Sequence, residues 1–165
     1  MSQDAQFTHA HMVRFERNVP VQPGELWRVL TEVEALPGWY GDGKLEATAG
    51  GAVELMAGHI RGTVTHCTPE QRLAYSWNVF NPGDEVSPYP ESYLTLELEP
   101  RGGGTCLFLT HLPVLEQFVK LNAMGWHTFL DMVEAAATGR KVEPRAVYMQ
   151  RNAQRYGIDL AKMAS

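Results

Sequence analysis

The sequence predicts an α+β fold in which an antiparallel sheet packs against one long helix near the C-terminus. Between residues 44 and 111, polar and apolar side chains alternate in several short segments separated by turn signals, which is typical of antiparallel strands. After His111 the apolar residues recur about every 3.6 positions, which is the period of a helix. Before the sheet, one strand-like segment is followed by two short helical segments.

Length and composition indicate one ordinary globular domain. The chain has 165 residues, of which 44% are hydrophobic and 20% are charged, so it can bury a full core. The net charge of -5 and the absence of a Lys/Arg cluster argue against binding to nucleic acid, which needs a basic surface. No apolar run approaches the roughly 20 residues of a membrane-spanning helix. The N-terminus lacks a basic start followed by an apolar block, so we expect no signal peptide and a cytoplasmic protein.

The two cysteines, Cys67 and Cys106, each lie within a predicted strand. In a cytoplasmic protein we expect both to be reduced and to pack as small hydrophobic side chains. A disulfide between them would require their strands to be neighbours.

The first elements follow from prolines and from the spacing of apolar residues. Residues 1–9 are polar and are expected to be flexible. The segment HMVRFERNVP alternates between apolar and polar side chains, which predicts a half-buried strand that ends at Pro20. Pro23 marks the start of a helix, and a second short helical segment breaks at Pro37 and Gly38.

The sheet is predicted to contain about six to seven strands. Beyond the first, they are expected in KLEAT, AVELMAG, HIRGTVTHC, RLAYSWNVF, ESYLTLELEP and TCLFLTH. Gly50 and Gly51 indicate one turn, and RGGG indicates a hairpin with freedom for positive φ. The longest irregular segment, Asn81 to Glu91, contains three prolines. Such a loop is either functional, bordering a site, or a long surface connection.

A strongly amphipathic helix is predicted over residues 115–138. Its apolar face comprises Phe118, Leu121, Gly125, Trp126, Phe129, Leu130, Met132, Val133, Ala136 and Ala137. The opposite face carries His127, Asp131, Glu134 and Thr138, which we expect to meet water. Gly125 is expected to let the helix bend or approach the sheet closely. Gly139 ends the helix, and a further helix from about Pro144 is expected on the surface or against a partner.

This order of elements is that of the helix-grip fold, in which a curved antiparallel sheet wraps around a long C-terminal helix. The segment VPVQPGELWRVLTEVEALPGWYG resembles the beginning of domains of the START-like, or SRPBCC (birch pollen allergen-like), superfamily. GGAVELMAGHIRGTVTHCTPEQRLAYSW resembles one branch of it, named for homologues of the activator of heat-shock protein 90 ATPase. GGTCLFLTHLP and GWHTFLDMV are similar to its last strand and the start of its final helix. The resemblance predicts a START-like domain over residues 10–140 and a helical extension over 141–165.

The resemblance implies three functions. The first is binding of a small hydrophobic or amphipathic ligand, lipid or aromatic, in a cavity between sheet and helix. The second is an interaction module whose partner is a chaperone or a second copy of the chain. The third is a cyclase or aromatase acting on polyketides.

Aromatic residues on the helix-facing side would line such a cavity, because a curved sheet cannot close perfectly around one helix. The predicted ligand-binding residues are Trp39, Tyr75, Trp77, Tyr93, Phe108, His111, Trp126 and Phe129. The alternative is that they fill a solid core.

The sequence leaves two interpretations open for His111 and for His66. His111 ends the last strand and either points into the mouth of the cavity or is a hydrogen-bonded strand-end residue. His66 alternates with Val64 and could face inward, whereas His127 should meet water. No group of His, Cys, Asp or Glu shows metal-ligand spacing, so no metal or cofactor is expected.

Enzyme activity is permitted by the sequence but not indicated by it. G-x-S-x-G, P-loop and dinucleotide-binding fingerprints are absent, and neither cysteine has an activating neighbour. A cyclase would need only a shaped pocket and one or two proton-transfer groups. The candidates are His111, Tyr75, Tyr93, Glu54 and Arg61, of which the last two are expected on the solvated face of the sheet.

Overall fold

The computed structural model describes residues 3–7 and 9–162. Parts of the expected flexible N-terminus (residues 1, 2 and 8) and of the C-terminal extension (residues 163–165) lie outside the described residues. Within the described part of the chain, no helix is both long and apolar enough to cross a bilayer.

The core of the fold is a curved sheet of seven antiparallel strands in the order β1-β7-β6-β5-β4-β3-β2. The strands are β1 (His11–Val19), β2 (Lys44–Leu45), β3 (Ala52–Leu55), β4 (Ile60–Thr68), β5 (Arg72–Val79), β6 (Ser92–Arg101) and β7 (Gly104–Val114). Strands β2 to β7 form a meander, and β1 pairs with β7 at one edge. The predicted strand number and antiparallel pairing are confirmed.

In the described part of the chain, three α-helices accompany the sheet: α1 (Pro23–Thr31), α2 (Val119–Ala137) and α3 (Arg145–Tyr156). Short 3-10 helices span Leu36–Gly38, Glu116–Phe118 and Leu160–Lys162. With 19 residues, α2 is roughly 28 Å long, enough to cross a small sheet. The predicted α+β helix-grip architecture is therefore confirmed.

Side-chain alternation decides what the sheet presents to α2. In β6, Leu94, Leu96 and Leu98 are buried against the helix side, whereas Glu97 and Glu99 are exposed. Their partners in the core include Trp126, Leu130 and Val133 of α2. The hairpin that joins β6 to β7 turns through Gly102 and Gly103, at φ values of 57° and 82° that favour glycine.

The polar face of α2 does not meet water as predicted, because β1 and α3 cover it. Arg17 of β1 donates to Asp131 at 2.7 Å, and Asn152 of α3 donates to the other oxygen of Asp131 at 3.1 Å. The His127 Nδ1 and the hydroxyl of Tyr156 are 2.9 Å apart. The expectation that His127 faces solvent was wrong, since the amphipathic α3 docks there.

Both cysteines carry free thiols. Cys67 lies in β4 and Cys106 in β7, and these strands are not neighbours in the sheet. Cys106 is buried, and Cys67 is partly buried against the core.

Candidate functional site

A cavity of about 560 Å³ lies between the sheet, α2 and α3. Its wall is mainly apolar: Met56, Ile60, Trp77, Val79, Tyr89, Pro90, Pro113, Val114, Leu115, Phe118, Leu121, Met124, Gly125, Phe129 and Met149. The polar lining residues are His59, Asn81, Ser92, His111, Asn122, Thr128 and Arg145. An apolar concavity with a few polar groups has the composition of a small-molecule site.

Helical spacing explains how α2 presents one face to the cavity. Leu121, Gly125 and Thr128 follow one another at intervals of four and three residues, which places them on one side of a helix. A Cβ atom built at Gly125 would meet nothing within 4 Å. The expectation that Gly125 allows close contact with the sheet was wrong: the missing side chain leaves open volume.

The loop from Asn81 to Glu91 contributes to the same cavity. Asn81, Tyr89 and Pro90 line it. The ring of Tyr89 meets that of Phe118 edge-on, with centroids 5.2 Å apart. The proline-rich loop therefore borders the cavity and contacts the turn that precedes α2.

His111 is fixed in one tautomer by its neighbours. The indole Nε1 of Trp126, which can only donate, lies 2.9 Å from His111 Nδ1. Nδ1 is therefore the acceptor, and Nε2 carries the proton that it donates to Ser92 Oγ at 2.7 Å. Ser92 Oγ in turn donates to the carbonyl oxygen of Trp77 at 3.2 Å. These bonds join α2, β7, β6 and β5 beside the cavity.

Burial keeps the His111 imidazole neutral. The residue is 2% exposed, and desolvation lowers its pKa from 6.5 to about 4. Because both ring nitrogens are occupied by protein groups, His111 is not free to exchange a proton with a ligand. Of the two interpretations of this residue, the hydrogen-bonded histidine describes its geometry, although His111 lies three residues before the end of β7 and its ring also lines the cavity.

The structure brings together some of the predicted ligand-binding residues. Trp77, His111 and Phe129 line the cavity, and Trp126 packs against Trp77 with ring centroids 5.1 Å apart. Trp39 is buried deeper, where its Nε1 donates to the carbonyl of Val29 at 2.7 Å.

Tyr75 also lies in the core rather than at the cavity. Its hydroxyl is 3.1 Å from that of Tyr40, and burial raises the pKa of both phenols. The core therefore holds Tyr75 as a protonated hydroxyl.

The expectation that Tyr93 and Phe108 face the helix was wrong. Tyr93 precedes the inward-facing Leu94, so it points to the opposite face of the sheet, where it is 46% exposed. Phe108 stands between the buried Leu107 and Leu109 and also faces outward. The guanidinium groups of Arg14 and Arg101 lie 5.8 and 5.7 Å from its ring centroid.

His66 also points outward, and a β-bulge is the reason. Val64 pairs with Tyr75 but His66 pairs with Ala74, so Thr65 is an extra residue that reverses the alternation. His66 is exposed and contacts Thr68 Oγ1 at 3.0 Å. The inward interpretation of His66 was wrong.

Glu54 and Arg61 are exposed, which agrees with the expectation that they lie on the solvated face of the sheet. They pair across β3 and β4. Neither residue lines the cavity.

Sequence reasoning missed Arg145, the residue that α3 contributes to the cavity together with Met149. Arg145 Nη2 donates to the carbonyls of Tyr40 and Trp39 at 2.8 and 3.2 Å. Its guanidinium carbon lies 4.9 Å from the ring centroid of Phe129. The spacing of Arg145 and Met149 places them on one face of α3, but no local signal indicates what that face meets.

Two buried polar atoms lack a hydrogen-bond partner within the part of the chain that the structure describes: Asn122 Oδ1 and Arg145 Nε. Both belong to residues that line the cavity. Buried polar groups normally have a hydrogen-bond partner, so these two atoms are candidate contacts for a molecule that occupies the cavity. No three His, Cys, Asp or Glu side chains among the described residues could hold a metal ion.

Comparison with known structures agrees with this architecture. CalU16 from Micromonospora echinospora superposes with a TM-score of 0.71 at 23% identity, over 90% of this chain and 87% of CalU16. PFC0360w, an HSP90 activator from Plasmodium falciparum, gives a TM-score of 0.62 at 22% identity, over 75% of this chain and 94% of the activator. DynU16, a protein from the dynemicin biosynthetic locus, gives 0.69 at 21% identity, over 81% of this chain and 50% of DynU16. At these identities the likeness concerns the fold.

The family follows from the sequence itself. No curated protein matches the chain. The family model described as Activator of Hsp90 ATPase homolog 1-like protein matches residues 20–138, which include α1, β2 to β7 and α2 but not α3. The chain therefore belongs to the Activator of Hsp90 ATPase homolog 1-like family.

Proposed function

We propose that this protein binds a small hydrophobic or amphipathic ligand, of lipid or aromatic polyketide-like type, in the cavity between the sheet, α2 and α3. The observation that carries the proposal is the coincidence of a mainly apolar 560 Å³ cavity with both unpartnered buried polar atoms. Apolar cavity surface is stabilised when an apolar group covers it, and a buried polar atom is stabilised when it gains a hydrogen-bond partner. A ligand that fills the volume and meets these atoms would relieve both costs. We expect the protein to act in the cytoplasm.

A thermal-shift screen of flavonoids, fatty acids and polyketide-like aromatics tests this function. A ligand that binds only the folded state raises the melting temperature, and at a concentration of 100 Kd it adds about 2.7 kcal/mol to the free energy of unfolding. Trp77 lines the cavity, and the ring of Trp126 packs against that of Trp77. A bound ligand should therefore also change the tryptophan fluorescence. The proposal fails if no compound shifts either signal at high concentration.

A second candidate function is a chaperone-associated interaction module. It is supported by the family's description and by the fold likeness to PFC0360w, an HSP90 activator. Pulldown and ATPase assays with a bacterial Hsp90 relative test it. Stimulation of the ATPase supports this function, and absence of both binding and stimulation removes it.

A cyclase-like enzyme is the third candidate, supported by one further histidine. His59 lines the cavity and donates from Nδ1 to the carbonyl of Phe80 at 2.8 Å. In the neutral tautomer that fits this bond, Nε2 carries no proton and is able to accept one, the role of a general base. Mass spectrometry of each ligand identified in the screen, before and after incubation with the protein, tests turnover. Conversion that is lost in His59→Gln, with binding retained, supports the enzyme, and unchanged ligands argue against it.

A further inference from the structure

Arg145 brings a positive charge to the wall of an otherwise apolar cavity. It is the first residue of α3, and its side chain reaches over the ring of Phe129 in α2. The carbonyls of Trp39 and Tyr40 take the hydrogen bonds of Nη2. Nε is buried and has no hydrogen-bond partner among the residues that the structure describes.

The described residues give this guanidinium no carboxylate partner. Among the described residues, no Asp or Glu lies within salt-bridge distance of Arg145. Arg17, by contrast, faces both Asp131 and Glu134. Burial lowers the pKa of Arg145, but an arginine keeps its proton in proteins. The partly buried guanidinium therefore has no acidic partner in the described part of the chain, and a carboxylate that enters the cavity would be able to pair with it.

The position of Arg145 in α3 adds to this charge. Helix N-termini carry a partial positive charge, so a cation in the first turn is unfavourable. The N-cap, Pro144, supplies no side-chain hydrogen bond, and the first turn contains no acidic residue. Anchoring α3 to the carbonyls of Trp39 and Tyr40 would require a donor but not a charge. A role in ligand binding explains the charge as well as the anchor.

We propose that the cavity selects ligands that carry a carboxylate, and that Arg145 binds this group through its unpartnered Nε–H and its positive charge. This inference rests on the proposed ligand-binding function and names the ligand class of the same cavity. The apolar body of the acid would lie along α2 toward Asn122. The positions of Asn122 and Phe129 are about two helical turns apart, roughly 10 Å, which suits the length of a medium-chain or bicyclic acid.

Matched pairs of acids and alcohols test the inference. Binding of decanoic acid and decanol, and of naphthoic acid and naphthylmethanol, is measured by calorimetry below micelle-forming concentrations at neutral pH. In the unaltered protein each acid should bind about tenfold or more tightly than its alcohol, because a hydrogen bond to a charged group contributes that much. Arg145→Gln keeps a donor for the anchoring carbonyls but removes the charge, so the preference should disappear while the alcohols still bind.

Arg61→Gln is the control variant. Arg61 also lies over an aromatic ring, that of Phe80 at 4.4 Å, and donates to the carbonyl of Gly58, but it does not line the cavity. The Arg61→Gln variant should keep the full preference for acids over alcohols. If Arg61→Gln lost this preference as completely as Arg145→Gln, the assignment to Arg145 would be refuted.

Each outcome separates the inference from the function on which it rests. Equal affinity for acid and alcohol in the unaltered protein refutes the inference and leaves the proposed function intact. No binding of any of the four compounds refutes the inference, and the proposed function fails with it only if the thermal-shift screen also gives no hit. If Arg145→Gln does not fold, the preference is measured in the unaltered protein and in Arg145→Lys, which should retain most of it.

Discussion

The indole N–H of Trp126 donates to Nδ1 of His111 across 2.9 Å, and this bond joins the long helix to the last strand of the sheet. It also sets the tautomer that lets Nε2 of His111 donate to Ser92. Trp126 and His111 are both buried, so the bond is made away from the protein surface. The pair therefore holds one wall of the cavity in place.

Trp126→Phe should lower the free energy of unfolding by about 1–3 kcal/mol. The phenyl ring retains much of the apolar volume but cannot donate to His111. Asn122, whose Nδ2 lies 3.1 Å from the same Nδ1, would remain as a weaker donor. Urea denaturation at neutral pH measures the change. An unaltered free energy of unfolding would show that the bond contributes nothing.

Stability should decrease on acidification through the titration of His111. Its pKa is about 4 in the folded protein and 6.5 for an ordinary, solvated histidine, so between these values the unfolded state binds more protons. The stabilising contribution is complete above pH 6.5 and is lost as pH falls toward 4, by about 3 kcal/mol in total. Urea denaturation across this range measures the slope.

The matched variant for the pH prediction is His111→Gln, which should show a shallower decrease. Burial also lowers the pKa of His127, which contributes in the same direction, but it is present in both proteins. The contribution of His111 is the difference between the pH dependence of the free energy of unfolding in the unaltered protein and that in His111→Gln. Parallel curves would contradict the prediction.

Asn152→Ala should destabilise the attachment of α3 by about 1–3 kcal/mol. Asn152 is 0% exposed, and its Nδ2 donates to Thr128 at 3.2 Å and Asp131 at 3.1 Å. Removing it deprives the buried Thr128 and the partly buried Asp131 of this donor. Hydrogen exchange of α3 should accelerate along with the loss of stability. The exposed Gln150 provides the control, because Gln150→Ala changes helix propensity alone and should leave exchange unchanged.

The fold could be predicted because its signals are local. The alternation of Leu94, Leu96 and Leu98 shows which face of β6 is buried, and the helical period after His111 shows which face of α2 is apolar. The same alternation excludes Tyr93 from the cavity. The expectation that Tyr93 lines the cavity was wrong because it gave the aromatic side chain more weight than its odd position in the alternating strand.

The remaining part of the site depends on contacts that no local pattern encodes. The bulge at Thr65 turns His66 outward, and nothing in the strand's composition marks it. Arg145 reaches the cavity only because α3 docks on α2 through Asn152 and its neighbours. Amphipathic spacing identifies a face of α3 but not the surface that covers it.

Gly125→Leu should block the cavity without weakening the fold. A Cβ at Gly125 meets nothing within 4 Å, and leucine favours a helix over glycine by about 1 kcal/mol, so the free energy of unfolding should stay the same or rise. Lys120→Leu, at an exposed position of the same helix, adds the same side chain outside the cavity. Any compound that stabilises the unaltered protein in the thermal-shift screen should still stabilise Lys120→Leu but not Gly125→Leu. A melting-temperature gain that survives in Gly125→Leu would mean that the compound binds elsewhere, since a leucine side chain would occupy the volume that glycine leaves open.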